Sequence, residues 1–93
     1  MDNINIDGKN FNAYTIKTSN ASMLMINGSK GMLACGYIKV ETADKLGDAL
    51  AIVTGVSTYD DMCVKNVVAV SKAAADLGVQ IGMSGKDALA KLA

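Results

Sequence analysis

Two thiols, Cys35 and Cys63, are the most reactive nucleophiles available to a 93-residue chain that contains no histidine. Without imidazole there is no Ser/His/Asp triad, no Cys/His pair and no histidine metal ligand within one chain. Cys35 sits in the stretch KGMLACGYI, residues 30–38, between Ala34 and Gly36. A reactive thiol needs a nearby cation, a helix N-terminus or a metal to lower its pKa, and it needs solvent. Lys30 and Lys39 lie too far along an extended strand to serve. Cys35 therefore reads as a small buried hydrophobe, with a thiol enzyme centred on it as the alternative. Cys63 follows Asp60, Asp61 and Met62, whose charge would raise a thiol pKa. The two cysteines are too far apart for a CxxC metal or redox motif, and no metal or cofactor is expected.

Two polar stretches could hold a ligand. Gly82-Met83-Ser84-Gly85-Lys86 resembles a phosphate loop but fails the GxxxxGK[ST] pattern, since Gln80 precedes it and Asp87 follows Lys86. What survives is a helix start at Ser84, Gly85 and Lys86 that could hold an anion or be satisfied by its own caps. Thr54-Gly55-Val56-Ser57-Thr58-Tyr59-Asp60-Asp61 follows an aliphatic strand, where loops of α/β sheets often bind ligands. Thr54, Gly55, Thr58, Asp60 and Asp61 are its candidate ligand-binding residues. Asp60 and Asp61, about 100° apart on a helix, are ill placed to share one cation and suit a helix start instead.

These residues need a scaffold, and its elements are legible. Residues 1–38 read as strands: INID into an Asp7-Gly8 turn, FNAYTIKT over 11–18, SMLMI, and MLACGYI after a hairpin turn at Asn27-Gly28. The last two are apolar at consecutive positions, as a strand buried on both faces would be, either by helices or by another subunit. From residue 39 the texture is mixed. Thr42 can cap a short helix ended by Gly47; LAIVT is a central strand; Thr58 starts a helix. Asn66 to Val70 is read as a strand rather than helix, Ser71 as the cap of KAAADL, Gly78 as its stop, VQIGM as a last short strand or extended segment, and DALAKLA as the closing helix. The expectation is one α+β domain over residues 1–93, with 1–38 a β-rich assembly region.

Composition supplies the reason for assembly. Hydrophobic residues make up 51% of the chain and charged ones 19%, more apolar material than a small monomer can hide. Met23, Met25, Leu33 and Cys35, all on the N-terminal strands, are the expected contact residues between copies. Net charge is zero and all nine basic residues are lysine, so neither nucleic acid nor an anionic membrane surface is an expected partner. No apolar run is long enough to span a bilayer, and MDNINIDG lacks the features of a signal peptide. A cytoplasmic location with reduced thiols is the expectation.

Taken together, KGMLACGYI, ETADKLGDALAIVTGVSTYDDM and ADLGVQIGMSGKDALAKL resemble the YunC-like family, a small uncharacterised domain of bacteria and archaea. The resemblance runs from about Ser22 to Leu92 and includes Gly31, Gly36, Gly47, Asp48, Thr54, Gly55 and Gly85. It implies an α+β fold and a β-rich N-terminal region through which four copies assemble. It implies no reaction, cofactor or catalytic residue.

Overall fold

In the computed structural model, which describes residues 1–93, Asp7 and Gly8 both take positive φ, 51° and 82°. This is the backbone a two-residue hairpin turn requires, and it joins β1 (Asp2–Ile6) to β2 (Lys9–Lys17). β3 (Ser22–Asn27) and β4 (Met32–Ala34) continue the antiparallel meander. Helix α1 (Val40–Leu46) then crosses to β5 (Leu50–Ile52), which runs parallel to β4. After α2 (Tyr59–Val64), β6 (Ala69–Val70) closes the sheet antiparallel to β5, and α3 (Lys72–Asp76) and α4 (Gly85–Leu92) follow. Strand order equals chain order throughout. The fold is α+β, as the sequence indicates.

Local chemistry sets the helix ends. The hydroxyls of Thr58, Ser71 and Ser84 accept the N–H groups of Asp61, Ala74 and Asp87 as N-caps. Gly47, at φ 77°, ends α1 with its N–H turned back onto the carbonyls of Ala43 and Asp44. The start of α1 differs from expectation. It begins at Val40, after Lys39 with no side-chain cap, so Thr42 lies inside the helix.

Four further differences follow. Gly28 does not adopt positive φ; it is needed because a Cβ there would run into the Leu92 carbonyl. That carbonyl also accepts the N–H groups of Lys30 and Gly31 at 3.0 and 3.2 Å, so the turn docks on the C-terminus of α4. β4 stops at Ala34 because the Cys35 carbonyl accepts Ile38 N–H at 3.1 Å and the chain turns. Of residues 66–70 only Ala69 and Val70 form the strand, while Asn66 bridges to Ser84. VQIGM is not a strand: Gly82, at φ 97°, turns it so that Gly82 N–H donates to Val67 C=O at 2.8 Å.

Side chains alternate between two unequal faces. On one, Phe11, Leu24, Ile26, Leu33 and Val53 pack with Met62 of α2, Ala74 of α3 and Leu89 and Leu92 of α4 in a single buried cluster. On the other, Ala34, Leu50 and Ile52 pack under Ala43 of α1. Three helices thus cover one face and one helix half of the other.

Gly85 is where α4 meets α2. Its N–H donates to Lys65 C=O at 2.8 Å, and a Cβ would collide with the Met62 carbonyl. Gly85→Ala is expected to destabilise the fold by about 1–3 kcal/mol, the usual cost of overpacking, read as a lower urea midpoint. An unchanged midpoint would mean that α4 does not seat this closely.

Candidate functional site

The two parallel strands part at their C-terminal ends. In their ladder Met32 N–H donates to Ala49 C=O and Val53 N–H to Ala34 C=O, each at 3.0 Å. The next rung, Gly36 N–H to Val53 C=O, is not formed, because the turn after Cys35 carries the chain away. From here β4 leads to α1 on one face and β5 leads to α2 on the other. Adjacent parallel strands whose exits diverge in this way leave a crevice outside their carboxyl ends. The largest cleft of the molecule, about 550 Å³, occupies that position. Gly36 and Tyr37 form one wall, Thr54 to Ser57 the other, and Ser22 closes the end.

Cys35 is at the floor of this cleft and only 4% exposed. Its N–H donates to Leu24 C=O at 3.0 Å. The reciprocal bond of an antiparallel pair would run from Leu24 N–H to the Cys35 carbonyl, which is already held by Ile38. Leu24 N–H donates instead to Cys35 Sγ at 3.3 Å. The thiol therefore completes the β3–β4 ladder where the backbone turns out of it.

On the second wall, Thr58 caps α2 and Asp61 reaches back to accept Ser57 N–H at 2.9 Å. The Ser57 amide, more than any other contact, holds the Asp61 carboxyl below its usual range; Thr58 and the Lys65 ammonium act in the same direction. Asp61 is thus occupied in shaping the loop. Asp60 is exposed, and it adds to the burial that pushes the Cys63 thiol up. Ser84, Gly85 and Lys86 lie elsewhere, where α4 meets the C-terminal end of α2. Ser84 Oγ accepts Asp87 N–H, Gly85 N–H is used by Lys65, and Lys86 Nζ stands 3.5 Å from Asp7 in an exposed ion pair. The two polar stretches do not form one site.

The second notable surface is the uncovered half of the sheet. Tyr14, Ile16, Met23 and Met25 project from β2 and β3 with Ile38 beside them, lining a shallow apolar groove. Ile16 is 61% and Tyr14 37% exposed. Toward the β1 hairpin the same face carries Asn3, Asn5, Asn10, Asn12 and Asn27, paired across strands, with Asn5 Nδ2 donating to Asn10 Oδ1 at 3.2 Å. Leu33 and Cys35, expected at a contact between copies, face the chain's own helices and are buried there. Two consecutive apolar positions do not reveal which of them faces out. Reasoning from sequence also missed Gly36 and Tyr37 as a cleft wall; the signal available was that their loop, like that of Thr54 to Ser57, follows an aliphatic strand.

The model of a domain of unknown function, DUF1805, matches residues 34–92. The chain belongs to the DUF1805 family. The match starts at the last residue of β4 and so takes in both walls of the cleft, leaving out Ala21 and Ser22 at its end. This DUF1805 chain is 32% identical to the uncharacterised protein YunC of Bacillus subtilis (strain 168), across 96% of its own length and 92% of that protein's. The likeness to the YunC family inferred from the sequence thus holds. It also matches the crystal structure of TA1206, a protein of unknown function from Thermoplasma acidophilum. The TM-score is 0.94 and the identity 39%, over 99% of this chain and 90% of that one.

Both thiols of the DUF1805 chain are unpaired. Cys35 is expected to react with an alkylating reagent only after denaturation. Cys63 is expected to react in the native protein, with a pH profile displaced above that of an ordinary thiol; labelling of Cys35 at native rates would contradict its ladder role. Cys35→Ala strips the buried Leu24 N–H of its acceptor, and a loss of about 1–3 kcal/mol is expected in urea unfolding.

Proposed function

We propose that this domain is a cytoplasmic self-assembling unit, a homotetramer built through its N-terminal strands. The observation that carries the reading is the uncovered half-face of the sheet. A sheet face lined by Tyr14, Ile16, Met23 and Met25 is stable in water when a second layer packs on it, and the chain's own helices are all used elsewhere. A second copy is a self-complementary layer: the same apolar strip meets itself across a two-fold axis, and the neighbouring asparagines can exchange side-chain hydrogen bonds. The absence of charge from the centre of the strip suits such a contact.

A tetramer with two kinds of two-fold axis needs a second self-complementary surface. The edge of β1 supports this, because it pairs only with β2. In a hairpin closed by Ile6 and Lys9, Asn3 and Asn5 are the residues whose backbone groups point outward, open to strand addition by another β1. The unpaired cysteines are compatible with a reducing compartment.

Light scattering on a sizing column at micromolar concentration is expected to give four times the 9.6 kDa chain mass. Ile16→Lys, at an exposed position, should give a smaller particle with unchanged circular dichroism. A wild-type mass of 9.6 kDa would refute the assembly.

A further inference from the structure

The crevice between β4 and β5 has a chemistry of its own, distinct from the assembly face. None of the N–H groups of Gly36, Tyr37, Gly55 and Val56, all in its walls, has an acceptor in the chain. The hydroxyls of Ser22, Thr54 and Ser57 in the same walls are equally uncommitted: no hydrogen bond within the chain uses them. Other loops are satisfied within the chain only in part: Thr18 bonds Ala21, Gly28 bonds Gly31 and Gly82 bonds Val67, while the N–H groups of Ser19, Asn20, Gln80 and Ile81 also lack an acceptor. What distinguishes the crevice is that four such amides and three free hydroxyls line a single cleft, where the topology opens the sheet.

The charged groups near the crevice lie at its margin. No Asp or Glu lines it. The acids next in sequence to the second wall are Asp60, which is exposed, and Asp61, which accepts the N–H of the wall residue Ser57 at 2.9 Å. Lys65 reaches toward the same loop, its Nζ 3.9 Å from where a Gly55 Cβ would stand. Gly55 itself takes φ 69°, a backbone that side chains rarely adopt. It keeps that wall open to close approach by a ligand's oxygen atoms. Backbone N–H groups and hydroxyls, with an ammonium that also acts on the Asp61 carboxylate beside it, form a receptor for negatively charged oxygen.

We infer that the crevice between the β4–α1 and β5–α2 loops binds a small oxyanion, a phosphate or carboxylate group. The Gly36, Tyr37, Gly55 and Val56 amides donate to its oxygens and Lys65 supplies the countercharge. Cys35 belongs to the floor of the site as the group that ends the β3–β4 ladder and allows the strands to part. It takes no chemical part.

The test is an amide chemical-shift titration of the 15N-labelled protein with inorganic phosphate, and separately with acetate, at fixed ionic strength. Saturable shifts are expected at Gly36, Tyr37, Gly55 and Val56, with half-saturation at about millimolar anion or below. Response to phosphate alone or to both anions supports the site and identifies the group it takes. Gly36→Val, whose Cβ would arrive 3.3 Å from Thr54 Cγ2, is expected to abolish the shifts by filling the mouth. Lys65→Gln, an exposed substitution that leaves the walls in place, should weaken binding by about threefold to tenfold, in keeping with loss of one nearby charge. Shifts that rise linearly with both anions, that fall on other amides, or that are unchanged in Lys65→Gln would overturn the inference.

Discussion

Four short helices cannot cover both faces of a six-stranded sheet, and the rest of the structure follows from how this chain distributes them. α2, α3 and α4 are all spent on one face, where Leu24, Ile26, Leu33 and Val53 meet Met62, Leu89 and Leu92. Only α1 remains for the other, and it shields Ala34, Leu50 and Ile52 at the β4–β5 end. The β1–β3 half therefore keeps an apolar strip beside an asparagine patch. Burial of apolar surface is the main favourable contribution to folding and association alike, so leaving this strip bare concentrates the drive to associate on one patch. Part of the high hydrophobic content of the sequence has its counterpart there, while Leu46, Val64 and Ile81 are exposed elsewhere.

The same division of helices makes the crevice. β4 and β5 are the one parallel pair, and their exits go to opposite faces. A ladder can continue only while both strands stay extended; once the Cys35 carbonyl turns to Ile38, Gly36 N–H loses its partner. The thiol of Cys35 compensates on the β3 side by accepting Leu24 N–H. One residue thus seals one edge of β4 while the other edge opens. A small side chain with a weak acceptor suits that place, and Ala would lack the acceptor.

Features governed by neighbouring residues were legible in the sequence. Asp7-Gly8, the caps Thr58, Ser71 and Ser84, and the Gly47 stop depend on hydrogen bonds and φ values within a few residues, so composition at those positions is informative. Features governed by distant contacts were not. Gly28 reads as a turn residue, yet it is glycine because α4 ends against it. Ile81 looks like strand material in VQIGM and is exposed in a turn held by Val67. Met25 and Leu33 are equally apolar, but only helix placement decides that Met25 faces the bare half and Leu33 the core. The candidate site was half visible: Thr54 and Gly55 follow a strand and could be singled out, whereas Gly36, Tyr37 and Ser22 join them only through strand order.

The proposed dependence of assembly on the bare half-face can be tested at single methyl groups. With 13C-labelled methionine methyls and a soluble paramagnetic probe, Met23 and Met25 should be shielded in the wild-type protein and strongly broadened in Ile16→Lys. Met62, inside the core, should stay shielded in both. Equal broadening of Met25 in wild type and variant would mean that the face stands open to water, and the account of this fold as half of a shared core would be wrong.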